Sequence, residues 1–287
     1  MPFPSDRVGT RLKAFEVELT TRKILAYAAG LGASEAAFLD DAQATGLNAL
    51  PFLCVSPEWP VLLSLRHLLG DDLLPEEARR GVHAIQDSTF HRPMRPGDRL
   101  TTEGQLVAAT RIRSGVLTVC KLITRANDDP SPVTTTWTSS IYRDVDLTGD
   151  AMSLEETPAA AGLEPPGPDA ATDQLRIPRE MPHVYSECAD IWNPIHTERR
   201  EALAAGLPDI ILHGTATWAL AGLTILRRYA SNDVSALKRM TGRFSGMVIP
   251  GDDILVRHER DPSGRVRFEV RNLSGALAIS QGTVWLG

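Results

Sequence analysis

The clearest hydrophobic pattern in the chain is a segment that is apolar on nearly every face of a helix. It runs from Thr215 to Tyr229 and reads TATWALAGLTILRRY. Such a segment predicts a long helix that is buried on all sides. A shorter apolar stretch from Pro60 to Leu69, PVLLSLRHLL, predicts a counterpart helix in the first half of the chain.

Alternation of apolar and polar positions predicts β-strands after each of these helices. The first half contains RLTTEGQLVAA, VLTVCKLITRA and VTTTWTSSIYRD, and the second contains DILVRHERD, RVRFEVRNL and LAISQGTVWLG. A period of two residues is typical of strands with one buried face. The pattern therefore predicts, in each half, a buried helix wrapped by an antiparallel sheet, which is an α+β arrangement.

A segment rich in proline and glycine separates the two halves. Residues 146–174 read DLTGDAMSLEETPAAAGLEPPGPDAATDQ. Such a run is expected to form neither a helix nor a central strand. We therefore predict an N-terminal domain over residues 1–145, a linker over 146–174 and a C-terminal domain over 175–287.

The two halves repeat each other weakly. Phe90 is followed by a Pro-Gly-Asp that ends at Asp98, and Phe244 is followed by one that ends at Asp252. Both distances are the same, and the two copies lie 154 residues apart (244 − 90 and 252 − 98). Pro-Gly-Asp is a turn signal, and an alternating strand follows it in both copies. The shared spacing and context indicate an internal duplication.

Composition and charge narrow the class of protein. A length of 287 residues suits two domains, and 43% hydrophobic with 23% charged residues is ordinary for a soluble globular protein. A net charge of −6 argues against nucleic acid as the main partner. Three separated cysteines, no apolar leader and no membrane-length apolar run predict a cytoplasmic protein without a membrane partner. The sequence contains no HxxxH, HExxH or EF-hand spacing, so no metal site is predicted.

The densest cluster of polar residues extends from Tyr185 to Thr217. Asn193-Pro194 predicts a turn into a short helix that stops at Gly206, so His196 should lie near the start of that helix. Asp190 falls in the loop just before it. An Asp and a His on one bend can share a site for acid–base chemistry, and the alternative is that Asp190 simply caps the helix that follows. Asn193 could serve the turn alone.

A second element lies directly before the long buried helix and reads Leu212-His213-Gly214-Thr215. Free N–H groups at a helix start favour an anion, and a glycine there lets a ligand approach the backbone. His213 and Gly214 are therefore a candidate oxyanion hole facing the bend. The alternative is that His213 is a packed structural histidine and that only the backbone at Gly214 matters. Tyr185 suits either the core or the site.

Together these residues resemble a known family. The run Asn193-Pro194-Ile195-His196, then Gly206, then Leu212-His213-Gly214-Thr215, resembles the MaoC-like hydratase/dehydratases, also called (R)-specific enoyl-CoA hydratases or hydratase 2. The Phe244 to Asp252 segment also looks like that family's downstream strand. The first half has no Asn-Pro-x-His, which is similar to double-hotdog members whose first copy has lost the motif.

The resemblance implies a fold of two fused hotdog domains and a reaction. Such enzymes add water to a trans-2-enoyl thioester or remove it from an (R)-3-hydroxyacyl thioester. By motif, His196 takes the catalytic His position, Gly214 binds the thioester oxygen, and Asn193 shapes the bend. The first domain is then expected to help form the tunnel for the acyl chain. No cofactor is expected beyond the carrier, coenzyme A or the phosphopantetheine of an acyl carrier protein.

One departure from the family pattern concerns the acid. The family places Asp five residues before the His, where this chain has Ile191, and Asp190 lies six residues before His196. Either the loop brings Asp190 into the site as a second catalytic residue, or the site works without it. We therefore predict a hydro-lyase with Asp190 and His196 as catalytic residues and His213, Gly214 and Asn193 at the thioester. The alternatives are a non-catalytic acyl-thioester-binding protein and a thioesterase, and the layout also allows a homodimer.

Overall fold

The computed structural model describes residues 2–44, 46–69, 72–74, 77, 80–158 and 164–287. Six α-helices lie in this part of the chain: α1 Thr21–Gly30, α2 Ala36–Leu39, α3 Val55–Leu68, α4 Met181–Ala189, α5 Arg199–Ala204 and α6 Gly214–Tyr229. Short 3₁₀ turns cover Ser5–Arg7, Pro51–Cys54, Pro194–His196 and Val234–Ala236. Of the helices described here, none is both long and apolar enough to cross a membrane.

The strands of the first half are β1 Phe3–Pro4, β2 Phe15–Glu18, β3 Gly81–Phe90, β4 Arg99–Ile112, β5 Gly115–Ala126, β6 Asp129–Arg143, β7 Leu147–Thr148 and β8 Met152–Ser153. Those of the second half are β9 Ala171–Arg176, β10 Leu237–Phe244, β11 Asp253–Arg260, β12 Val266–Asn272 and β13 Leu277–Leu286. The strands predicted by alternation coincide with β4, β5, β6, β11, β12 and β13. The α+β prediction is therefore confirmed.

One antiparallel sheet spans both halves. Its order is β2-β4-β5-β6-β3-β10-β13-β12-β11-β9, with β8 pairing on β4 to complete eleven strands. Strands β3 and β10 join the halves, and Asp87 pairs there with Thr241. These two residues are 154 positions apart (241 − 87), the offset of the sequence repeat. At the centre of the sheet, a residue of one repeat thus pairs with the equivalent residue of the other. A pseudo-twofold axis between β3 and β10 therefore relates the two halves.

The turns after the two central strands are also equivalent. Gly97 and Gly251 have φ of 87° and 101°, which is the left-handed region that glycine occupies without steric cost. The following strands begin at Arg99 and Asp253, again 154 residues apart. Pro-Gly-Asp therefore makes the same turn twice, as the repeat predicts.

The predicted long helix of the second half is α6, and residues 216–226 along it are all buried. Its counterpart α3 begins at Val55, five residues earlier than predicted, and Pro60 lies inside it. The reason is that Pro51–Cys54 forms a buried 3₁₀ turn that leads directly into the helix. Within 146–174, strands β7 and β8 have two residues each and β9 begins at Ala171 on the outer edge of the sheet. The predicted domain limits stay a prediction, and residues 159–163 of the linker lie outside the described residues.

Candidate functional site

The bend predicted to carry the site begins where α4 ends. Asp190 follows the helix with φ 54° and ψ 37°, a left-handed conformation, and the Ile191 N–H donates to the Ser186 carbonyl at 3.0 Å. The side chain of Asp190 is 68% exposed and forms an ion pair with Lys23 of α1, whose side chain is 16% exposed. In the described structure, the Asp190 carboxylate has no hydrogen bond to His196 or His213. The acid predicted beside the imidazole is therefore engaged by a cation of the first half.

Ile191 occupies the position at which the family carries its acid. Its side chain is buried, with 5% exposure. A buried aliphatic side chain contributes no proton chemistry there, although its backbone carbonyl lies 3.3 Å from Nε2 of His213. The bend is thus closed by packing and a backbone contact at a place where the family has a carboxylate.

His196 ends the 3₁₀ turn Pro194–His196. Asn193 caps this turn, because its side-chain oxygen accepts from the Ile195 N–H at 3.5 Å. The Nδ1 atom of His196 lies 2.8 Å from the carbonyl oxygen of Ile211. A carbonyl only accepts, so Nδ1 carries the hydrogen and Nε2 presents a lone pair. Burial lowers the pKa of His196 to about 4, against a smaller opposing effect of the Ile211 hydrogen bond.

His213 lies directly behind His196. The two rings stack with centroids 3.7 Å apart and an interplanar angle of 24°. Nε2 of His213 is 3.1 Å from the Ser186 hydroxyl, while its Nδ1 is buried without a hydrogen-bond partner. Burial first, and then the neighbouring His196, lower the pKa of His213 to about 2. Two neutral imidazoles therefore stack at neutral pH, and His213 supports the ring of His196.

Gly214 is the first residue of α6, so the N–H groups of its first turn have no partner within the helix. A Cβ at this position would come within 3.0 Å of the Phe244 ring, so the glycine lets the helix start pack against β10. The neighbouring Thr215 accepts a hydrogen bond from the Tyr185 hydroxyl at 3.2 Å. Tyr185 is fully buried and its ring lies 5.0 Å from that of His213. The structure thus brings His196, His213, Tyr185 and the start of α6 together.

Two residues of the first half adjoin this group, and the sequence reasoning missed them. They are Lys23, which holds Asp190, and Tyr27, whose ring centroid is 5.9 Å from that of Tyr185. Both belong to α1, which packs closely on α4. The absence of a side chain at Gly30 allows this approach, since a Cβ there would lie 2.8 Å from Cβ of Cys188. Tyr27 and Tyr185 are 158 residues apart and occupy corresponding helices of the duplication. That near-repeat offset is the signal that could have identified Tyr27.

Among the residues that the structure describes, no group of three or more His, Cys, Asp or Glu side chains is placed to bind a metal ion. What the geometry offers is a fixed lone pair at Nε2 of His196 and unpaired backbone donors at the start of α6. The first can accept a proton, and the second can stabilise negative charge on a substrate oxygen.

Each half of the chain matches the model of a known protein family. Residues 182–278 match the model of the MaoC like domain. Residues 6–135 match the FAS1-like, dehydratase domain region. The resemblance noted from Asn-Pro-x-His and His-Gly is therefore confirmed, and the first half, which lacks that motif, is dehydratase-like as well.

Similar proteins extend over nearly the whole chain. Peroxisomal multifunctional enzyme type 2 of Mus musculus is 24% identical over 96% of this chain, which spans only 38% of the mouse protein's length. Probable enoyl-CoA hydratase 2 of Dictyostelium discoideum is 22% identical over 96% of this chain and 93% of its own length. The 3-hydroxyacyl-thioester dehydratase Y of Mycobacterium tuberculosis is 25% identical over 97% and 95%.

Solved structures show the same fold. A MaoC-like dehydratase from Phytophthora capsici superposes with a TM-score of 0.85 at 21% identity, covering 98% of each chain. A Mycobacterium tuberculosis protein described as having a double hotdog fold superposes with a TM-score of 0.60 at 14% identity, over 98% of this chain and 96% of the other. The predicted double hotdog is therefore confirmed.

Proposed function

We propose that this chain, whose residues 182–278 form a MaoC-like domain, is a hydro-lyase that interconverts trans-2-enoyl and (R)-3-hydroxyacyl thioesters. The observation that carries the proposal is the stacking of His196 on His213, the residue directly before Gly214. A neutral imidazole with its Nδ1 tied to Ile211 stands beside the open start of α6. Relatives named as enoyl-CoA hydratase 2 and as a 3-hydroxyacyl-thioester dehydratase, similar over 96% and 97% of the chain, support the same reaction.

In the direction of hydration, Nε2 of His196 accepts a proton from water as the water oxygen bonds to C3 of the enoyl group. The π electrons of the double bond move to the thioester carbonyl, whose oxygen becomes negative. The N–H of Gly214, at the positive end of α6, stabilises that oxygen. The imidazolium then gives its proton to C2. Proton gain and loss balance on His196, so no further reagent is consumed.

The remaining site residues support this step. Asn193 caps the turn that carries His196, and His213 stacks on its ring. The catalytic part predicted for Asp190 stays a prediction, and the ion pair with Lys23 competes with it. In this proposal the proton transfers fall to His196, and Asp190 joins the two halves at the edge of the site.

The proposal is tested by hydration of crotonyl-CoA, followed as loss of the enoyl absorbance. The wild-type chain should turn the thioester over and His196→Ala should not, with an unchanged circular dichroism spectrum. Equal turnover by His196→Ala would remove the assignment.

A second candidate function is a protein that holds acyl thioesters without converting them. The observation that favours it is the engagement of Asp190 by Lys23, which leaves the site without the family's carboxylate. Calorimetry separates the two functions, because a binding protein would show thioester binding with no change in enoyl absorbance. Release of free thiol from an acyl-CoA would instead indicate a thioesterase.

We further propose that the substrate needs no cofactor beyond its carrier, that coenzyme A or an acyl carrier protein supplies the carrier, and that the protein is cytoplasmic and dimeric. Turnover of the same enoyl group on the two carriers decides between them. Light scattering after gel filtration measures the mass in solution against the 31.2 kDa of one chain.

A further inference from the structure

Helices α1 and α4 meet at the pseudo-twofold axis that relates the two halves. Equivalent residues of a duplicated chain touch each other only close to such an axis. Tyr27 and Tyr185 do so, with ring centroids 5.9 Å apart, and a Cβ at Gly30 would lie 2.8 Å from that of Cys188. Both pairs are separated by 158 residues (185 − 27 and 188 − 30). This offset therefore identifies equivalent positions in the two helices.

The ion pair between Lys23 and Asp190 occurs on one side of this axis only. At the same offset, the equivalent of Asp190 is Gly32 and that of Lys23 is Met181. Neither glycine nor methionine carries a charge, so the symmetry-related position holds no ion pair. The side that has the pair is the one whose bend continues to His196. The ion pair thus accompanies the catalytic bend and is not a requirement of the common fold.

Both charged residues occupy positions that their own helices disfavour. Asp190 follows α4 in a left-handed conformation, which glycine adopts without steric cost, and Gly32 after α1 has the same conformation with φ 70°. The carboxylate of Asp190 also lies at the negative end of the α4 dipole. Lys23 lies in the first turn of α1, at the positive end of that helix. Local structure therefore disfavours each charge, and the contact between the two offsets this cost.

A short series of contacts leads from the ion pair to the base. The backbone of Asp190 continues into Ile191, whose carbonyl oxygen lies 3.3 Å from Nε2 of His213. The ring of His213 stacks on that of His196, with centroids 3.7 Å apart. A change in the backbone at Asp190 would therefore move this carbonyl and, with it, the imidazole that supports the base. The other end of the ion pair is held by packing, since the Lys23 side chain is only 16% exposed.

Resting on the proposed function, we propose that Lys23 is a positioning residue of the reaction. Through its ion pair with Asp190 it holds the bend so that His196 meets the substrate in the geometry of proton transfer. Lys23 acts on the rate and not on substrate affinity, because a bend that is held loosely spends less time in the reactive arrangement. The first half, which lacks Asn-Pro-x-His, thereby contributes to catalysis in the second.

The test measures kcat and KM for hydration of crotonyl-CoA by Lys23→Met, which keeps an apolar stem and removes the charge. We expect kcat to fall about threefold to tenfold and KM to stay within about twofold of the wild type, because only the proton-transfer geometry is disturbed. Arg22→Met is the matched control. Arg22 is the exposed cation next to Lys23 on α1, and it has no ion pair within the described part of the chain. This control should retain the wild-type kcat.

Combining the variant with a change at Asp190 shows whether Lys23 acts through that residue. If it does, kcat of the double variant Lys23→Met/Asp190→Asn should lie within about twofold of that of the slower single variant, because either change alone already breaks the ion pair. Independent effects would multiply instead. Multiplied losses, a wild-type kcat in Lys23→Met, or an equal loss in Arg22→Met would overturn the proposal.

If the wild-type chain hydrates no thioester, the proposed function fails, and the role of Lys23 is then judged by the rigidity of the bend alone. Amide hydrogen exchange over residues 190–196 measures that rigidity, since this segment includes the Ile191 N–H that donates to the Ser186 carbonyl. Faster exchange in Lys23→Met than in the wild type and in Arg22→Met would support the positioning role. Equal exchange in all three proteins would refute it.

Discussion

Replacing His196 by glutamine tests the assignment of the base most directly. Glutamine can keep a hydrogen bond to the Ile211 carbonyl but has no imidazole lone pair. With a pKa of about 4, only about one molecule in a thousand carries a protonated His196 at pH 7, so nearly all of the wild-type protein is in the active form. A positioned general base contributes about 10²–10⁴-fold. We therefore expect His196→Gln to lose about 3–5 kcal/mol of transition-state stabilisation.

The assay is steady-state hydration of crotonyl-CoA at pH 7, with thermal unfolding as the check on folding. His183→Gln is the matched control, since His183 is an exposed histidine on α4 whose Nε2 contacts the Thr197 carbonyl at 3.0 Å. It should retain wild-type kcat/KM. A His196→Gln variant within tenfold of the wild type would refute the assignment.

The pH profile supplies an independent readout of the same residue. Protonation of Nε2 inactivates the base, so wild-type kcat/KM should stay level from pH 8 to about 5 and fall to half near pH 4. An unperturbed histidine would give the half-point near 6.5. An inflection there, in protein that is still folded, would contradict the buried, neutral state of His196.

Three further variants test other parts of the structure. Asp190→Asn should lower kcat less than tenfold, because its carboxylate pairs with Lys23; a loss as large as that of His196→Gln would restore its catalytic role. Gly222→Ala should destabilise the protein by about 1–3 kcal/mol in urea unfolding, because its methyl group would overlap the Phe52 ring, and adding Phe52→Leu should recover part of the loss. Burial raises the pKa of Glu58 from 4.5 to about 7 in the folded state, so the folded protein holds this proton more tightly than the unfolded chain. The stability gained from this proton is complete below pH 4.5 and is lost as the pH rises to 7. Between pH 5 and pH 8 the wild-type protein should therefore lose up to about 3 kcal/mol more unfolding free energy than Glu58→Gln does. An equal loss in both proteins would contradict the buried state of Glu58.

Much of the fold followed from the sequence because its signals are local. The all-apolar run of α6, the alternating strands and the repeated Pro-Gly-Asp turns each act within a few residues. The start of α3 predicted from the apolar stretch Pro60 to Leu69 is five residues too late, because the buried turn Pro51–Cys54 leads into the helix earlier. Tertiary packing decided that boundary.

The site was predictable only in part, for a similar reason. The positions of His196, Asn193 and Gly214 follow from motifs within short segments. The partner of Asp190 does not, since Lys23 lies 167 residues away and meets it only after α1 packs on α4. One residue of displacement puts Asp190 in a left-handed conformation, and no spacing rule shows where its side chain then points.

The pairing of β3 with β10 at the centre of the sheet has a consequence for how the two halves can diverge in sequence. In a dimer of two identical subunits related by a twofold axis at this strand pair, every substitution would appear on both sides of the axis at once. Here the two sides are separate stretches of one polypeptide, so Gln86 and Met240 can differ while the ladder between the strands is kept. Joining the copies in one chain releases each from the symmetry constraint. One side is then free to retain proton chemistry, and the other can adapt to the cargo.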